Sequence, residues 1–365
     1  MDNKKFAFNR RQFLKTSAAT GVFAGASGLY APAVHAAAEP LKIGSWGGFF
    51  EEVLSEKLYP EFTAATGIEV QSIGTPNGDA QVVQLAQAIR AGNVPLDVSA
   101  LIPIPMVRAT NAGIVEELDM SRIPNAKHLP EVQGLSQSKD GNPNGVAWFF
   151  YFNILVSLRE DFPKTPDSWT ELWNPANSGL AGVMAQPEIS NIIDITAATY
   201  FGGPEILNTK EGTLEVLKKV AELKDTVSLW YRDEAQFQNG LETGELPIGI
   251  YYNDVATVAQ AEGIEIDRVF PKEGAVKNPA YWGISKGTAL RDQAHEFLNY
   301  TLDPSVQALL ARNLGGGPVV PQELTDLSDE EWGQVSTDAD TIAPAYHLYT
   351  DWGDWTATEF SRAIS

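Results

Sequence analysis

Leu41-Lys42-Ile43-Gly44-Ser45-Trp46 reads as a short strand that stops at Gly47-Gly48. Phe50, Val53, Leu54, Leu58 and Phe62 then recur at helical spacing. Thr66-Gly67-Ile68-Glu69-Val70 turns into a second strand. Strand, helix and strand in this order make a β-α-β unit, which demands a parallel sheet. The alternation continues. Asp79 to Ala91 predicts a helix with Val82, Val83, Leu85, Ala86 and Ile89 on its apolar face, and Asp97 to Ile102 predicts the next strand. The expected fold class is therefore α/β, with helices on both faces of the sheet.

A second α/β region is expected to start near Gly145. Val146 to Leu158 is apolar, aromatic and too long for an ordinary strand, so it is predicted to cross from one domain to the other. Leu214 to Leu223 predicts an amphipathic helix with outward lysines. Leu246 to Tyr252 predicts a buried strand ending at Asn253-Asp254, and Arg268 to Gly274 a return strand and turn. Ala289 to Leu302 predicts a helix that buries Ala294, Phe297 and Leu298. After Gly315-Gly316-Gly317-Pro318 the tail is expected to be irregular and aromatic.

Asn9-Arg10-Arg11-Gln12-Phe13-Leu14-Lys15 is a twin-arginine export motif. A weakly apolar run from Thr16 to Pro32 follows, and Val34-His35-Ala36 has the small–x–small pattern of a cleavage site. Residues 1–36 are thus expected to be a removable signal, with the protein exported folded and working in the periplasm. What remains is long for one core and predicts about two domains. No other stretch reaches the roughly 18 apolar residues of a membrane span. The formal net charge of −21 makes nucleic acid a poor partner. Cysteine is absent, which removes thiol catalysis and cysteine-held metals.

Enzyme motifs are missing: there is no G-x-S-x-G, no P-loop and no H-E-x-x-H. His128, His295 and His347 lie far apart, and Gly44-x-x-Gly47-Gly48 lacks the dinucleotide-loop spacing. No enzyme activity, metal or cofactor is expected. The positive signal is aromatic residues at strand ends. They occur at Trp46 with Phe49 and Phe50, through Trp148 to Phe152, at Tyr251-Tyr252 and at Tyr281-Trp282. Ligands of open α/β sheets bind outside the carboxyl ends of strands, and aromatic walls there hold cations. Phe149, Phe152 and Tyr251 are assigned to the core, whereas Trp46, Tyr252 and Trp282 are assigned to the cleft. Asp254 is the carboxylate singled out; Glu51 and Glu52 suit a helix first turn instead. The candidate ligand-binding set is Trp46, Gly47, Gly48, Phe49, Phe150, Tyr151, Tyr252, Asp254 and Trp282.

Taken together and in order, several motifs resemble the type II periplasmic solute-binding proteins of ABC importers, in the spermidine/putrescine-binding branch. They are Ile43-Gly44-Ser45-Trp46, Phe62 to Val70, Pro166-Asp167-Ser168-Trp169-Thr170-Glu171-Leu172-Trp173, Phe270-Pro271-Lys272-Glu273-Gly274, Tyr281-Trp282-Gly283-Ile284 and Gly316-Gly317-Pro318-Val319. The resemblance implies a two-lobed periplasmic-binding-protein fold with the ligand cleft between the lobes. Lobe 1 would take residues 37–147 and about 271–320, and lobe 2 residues 148–270 and about 321–365. It implies a monomer that binds a small-molecule ligand and delivers it to an ABC permease in the inner membrane. Polyamine binders clamp ammonium groups with carboxylates, yet this chain has Ile284, Ile189 and Ile192 at such places and Gly47-Gly48 after Trp46. A polyamine, a ligand with one cationic group and a zwitterion all remain open. So do a ferric-ion carrier using Tyr251-Tyr252, a thiamine-type binder and, in a different class, an extracytoplasmic enzyme.

Overall fold

The alternation expected from the opening residues is present. The structure, a computed structural model, describes residues 39–76, 78–131 and 133–365. Strand β1 (Leu41–Trp46) pairs in parallel with β2 (Val70–Thr75) and β3 (Val98–Leu101). The helix between β1 and β2 runs from Phe49 to Thr66 and widens to a π-turn at Leu54–Leu58. Pro60 lies just past that turn and has no N–H to give the preceding turn. Gly67 ends the helix at φ 75°, and β2 begins at Val70, where the expected turn ends.

The remaining strands are β4 (Leu135–Gln137), β5 (Pro143–Leu158), β6 (Ala181–Met184), β7 (Val227–Tyr231), β8 (Ile248–Tyr252), β9 (Ile266–Val269) and β10 (Val276–Ile284). The sheet order is β2-β1-β3-β10-β5-β8-β6-β7, with β4 and β9 also paired to β5. Two parallel trios, β2-β1-β3 and β8-β6-β7, therefore flank an antiparallel centre. Their topology is the same. In each trio the first strand in sequence lies in the middle, the second outside and the third toward the centre. All residues of β3 and β6 are buried, as parallel strands covered on both faces require.

Strand β5 joins the halves. Its first part pairs with β4 and β10, and its last part with β8 and β9. Its length of 16 residues serves both sets of pairings. One core packs Phe62, Trp148, Trp282 and Phe297 among its largest members, and a second packs Trp169, Ile192, Val216, Leu348 and Phe360. Three buried asparagines tie β5 and β10 to the second half. Asn153 and Asn278 both donate to Asn191 Oδ1 at 3.1 Å, and the Tyr346 hydroxyl donates to Asn278 at 2.9 Å.

One expectation needs correction. The tail is not irregular: it forms helices Asp329–Val335, His347–Thr350 and Gly353–Ile364. Ser328 and Glu331 cap the first reciprocally, and Phe360 anchors the last in the core. Arg268 to Gly274 is a return strand and turn as expected, the strand part stopping at Val269 and the turn closing where the Gly274 N–H donates to the Pro271 carbonyl at 2.8 Å. The twin-arginine motif and its cleavage site lie outside the described residues.

Candidate functional site

Four strands, two from each parallel trio, bring their carboxyl ends to one pocket of about 300 Å³. Trp46, Gly47, Phe49 and Phe50 follow β1, and Ile102 follows β3. Glu234 follows β7, and Tyr252, Asp254, Val255 and Val258 end and follow β8. Phe149 and Tyr151 of β5 complete the wall. Both trios thus contribute, at the place where open α/β sheets bind ligands. The turn out of β1 takes two residues because Gly48 adopts φ 69°, a conformation that costs glycine little.

The aromatic part is tightly held. Trp46 meets Phe50 edge-on at 5.3 Å and Phe149 at 6.1 Å, and lies nearly parallel to Trp148 at 6.3 Å. Trp148 in turn stacks on Trp282 at 4.4 Å and 19°. Further along, Tyr151 and Tyr252 meet edge-on at 5.7 Å.

The acidic part belongs to the second trio. Asp254 is the second residue of helix Asn253–Ala261, where its own N–H and that of Val255 favour the ionised carboxyl. Its Oδ1 is buried and has no partner among the described residues. Burial lifts the carboxyl from 3.8 to about 7, and the charge of Glu234 adds to the lift. Burial also raises Glu234, which opens helix Glu234–Thr243. The Tyr151 hydroxyl is pushed far up, first by burial and then by Asp254. Among the described residues lining this pocket, Glu234 and Asp254 are the charged ones; none is Lys, Arg or His. A buried carboxylate oxygen with no donor is costly, and an arriving N–H cation would satisfy it.

Trp46, Gly47, Phe49, Tyr151, Tyr252 and Asp254 of the candidate set line this pocket. Gly48 does not; it serves the turn beside it. Phe150 lies on the other face of β5, 2 % exposed, with the Lys277 ammonium 4.0 Å from its ring centre. Trp282 is not at the wall but fully buried behind Trp148. Phe149 is in the core as assigned, 2 % exposed, and also lines the pocket. The corrections to Phe150 and Trp282 share one cause. Neighbouring strand residues face opposite ways, and sequence does not say which way is inward. Phe50, Ile102, Glu234, Val255 and Val258 were missed. Glu234 was within reach of the strand-end rule, had Val227–Tyr231 been read as a strand.

Other candidates are placed elsewhere. Tyr251 packs on Phe237 at 5.2 Å while Tyr252 meets Tyr151, so the adjacent tyrosines diverge. Among the described residues no cluster of three His, Asp or Glu is arranged to hold a metal. Ile189, Ile192 and Ile284 do not line this pocket, and Glu188 is exposed. His295 is buried and accepts the Asp119 N–H at 3.0 Å.

The family profile described as bacterial extracellular solute-binding protein matches residues 57–341. The chain is 25% identical over 297 residues to the gamma-aminobutyric acid-binding protein of Pseudomonas aeruginosa, covering 80% of each. It is 24% identical over 267 residues to the spermidine/putrescine-binding periplasmic protein of Escherichia coli, covering 72% of this chain and 74% of that one. Its fold matches an ABC transporter substrate-binding protein from Bradyrhizobium japonicum with a TM-score of 0.77 at 21% identity, over 89% and 99% of the two chains. It also matches MotA of Agrobacterium tumefaciens in complex with glucopine, with a TM-score of 0.72 at 20% identity, over 90% and 100%. The fold is that of the type II periplasmic binding proteins. A protein of this kind binds a small solute for an ABC transporter outside the cytoplasm and does no covalent chemistry. This chain belongs to the bacterial extracellular solute-binding proteins.

Proposed function

We propose that this protein captures a small organic amine between its two halves and hands it to an inner-membrane permease. One observation carries the reading: the unpartnered Oδ1 of Asp254, buried in a pocket walled, apart from Glu234, by aromatic rings, aliphatic groups and Gly47. A cationic N–H donor completes that carboxylate, and the aromatic faces favour positive charge. The names of the two relatives, a gamma-aminobutyric acid binder and a spermidine/putrescine binder, support an amine. Strands β5 and β10 are the hinge in this reading, with the lobes divided near residues 147 and 271. Ligand contacts on both trios favour the closed state, which is how capture shifts the equilibrium. The protein works as a monomer, and the twin arginines at Arg10 and Arg11 export it to the periplasm.

The test is a thermal-shift screen against polyamines, monoamines, betaines, amino acids, organic acids, thiamine and ferric citrate. An amine at a hundred times its Kd adds about 2.7 kcal/mol to the folded state. A melting shift with amines that disappears in Asp254→Asn is expected. A shift confined to organic acids or ferric citrate would sink the reading.

A further inference from the structure

The two ends of the pocket differ in charge. Glu234 and Asp254 line one end, close enough to feel each other's charge, and Asp254 is two residues from Tyr252, whose ring meets Tyr151 at 5.7 Å. From Tyr151 ring contacts pass to Phe149 at 6.4 Å, and from there to Trp46 at 6.1 Å. Both carboxylates therefore stand at the second-trio end, and the first-trio end offers aromatic rings and Ile102.

We propose that the ligand is one-headed, with a primary ammonium at one end and an apolar body at the other. This deepens the amine-capture reading and rests on it. A second ammonium at the first-trio end would meet no carboxylate in the lining: Glu51, beside Gly47, lies outside it and accepts from the Ser72 hydroxyl at 3.2 Å. Such an ammonium would find little open π face either, since Trp46 is covered by Trp148 on one side and contacted by Phe50 and Phe149. A carboxylate at that end would meet no base in the lining and would lose its hydration against apolar walls. An alkyl or aryl group there loses only its contact with water, which is favourable. An N–H donor is needed at the other end because Oδ1 of Asp254 lacks one, so a fully substituted ammonium serves it poorly.

Three ligands with the same four-carbon chain decide the matter: butylammonium, 1,4-diaminobutane and 4-aminobutanoate. The short chain matters because Phe49, 41 % exposed, marks the mouth, and a longer diamine would reach water there. Titration calorimetry on the protein without its signal should give butylammonium the tightest binding, by at least about tenfold over either competitor. Ile102→Glu should then narrow or reverse the gap to 1,4-diaminobutane alone. Equal or tighter binding of the diamine or the amino acid by the unaltered protein overturns the inference, as does failure of butylammonium to bind at millimolar concentration. Asp254→Asn separates the two levels of argument. If it weakens all three ligands while their order is reversed, amine capture stands and the one-headed ligand falls. If it changes none of them, amine capture at this pocket falls as well.

Discussion

The two parallel trios share one topology and do opposite things with their strand ends. The first, β2-β1-β3, delivers Trp46, Gly47, Phe49, Phe50 and Ile102 to the pocket, all uncharged. The second, β8-β6-β7, delivers both acids, Glu234 and Asp254. Backbone topology therefore fixes where a ligand sits, and the few residues after each strand fix what each half reads. A second contrast within the second half sharpens this. Asp194 is buried like Asp254 and also raised, to about 6. Its oxygens are partnered, by the Ala345 N–H at 2.7 Å and the Tyr349 hydroxyl at 3.4 Å. It pins the C-terminal helices to helix Ile192–Phe201, whereas Asp254 keeps an oxygen free and faces a cavity. Both acids are buried, and the missing donor is what sets Asp254 apart.

The largest effect should separate the back of the aromatic end from its front. Trp282→Ala should destabilise the fold by about 3–5 kcal/mol, since its indole is fully buried. Trp46→Ala should leave the fold largely intact yet weaken ligand binding by about 2 kcal/mol. Urea unfolding and calorimetry on the pair check this, and similar stability losses in both would erase the distinction.

Asp254→Asn comes next. Cation affinity should fall by about 2 kcal/mol or more, while the ligand-free protein becomes more stable near neutral pH. Asp194→Asn should leave affinity nearly unchanged. If the two variants bind alike, the contrast between partnered and unpartnered acids is wrong.

The pH profile follows from the same group. Folded Asp254 holds its proton up to about 7, against 3.8 for the ordinary carboxyl. The folded state therefore binds more protons in that window, and this group's contribution makes stability fall as pH rises from about 4 to about 7 and then level. Amine affinity should move the other way, rising up to about tenfold per pH unit below that point and flat above it. Melting and calorimetry across this range test both signs, and a flat affinity profile would remove Asp254 from the ligand. Glu234→Gln should have the smallest effect, under about 1 kcal/mol in affinity, because Glu234 is only half-buried.

Much of this was legible in the sequence where local pattern and tertiary role coincide. Trp46 before Gly47-Gly48 and Tyr252 before Asn253-Asp254 announce strand ends, and strand ends build the pocket. The length of Val146 to Leu158 announces a strand long enough to pair with both β10 and β8. What was hidden depends on parity and distance. Phe149 and Phe150 are chemically identical neighbours, and only pairing with β10 decides that one faces the pocket and the other lies under Lys277. Trp282 follows a turn-like Pro-Ala pair, yet the antiparallel register with β5 places it inside. Glu234 reaches Asp254 from twenty positions earlier, a meeting that no local pattern records. In the tail, acids, glycines and prolines masked helices whose apolar face is completed by Leu348 and Phe360.

The three indoles reaching from pocket to core have an optical consequence. Trp46, Trp148 and Trp282 are close and nearly parallel, so their electronic transitions couple. A ligand seated against Trp46 changes the environment at one end of this array, and near-ultraviolet circular dichroism should register it without a dye. Trp148 and Trp282 are shielded from solvent, so their emission should be blue and resistant to iodide. Trp46 should be the member of the array that iodide reaches in the empty protein and loses in the filled one.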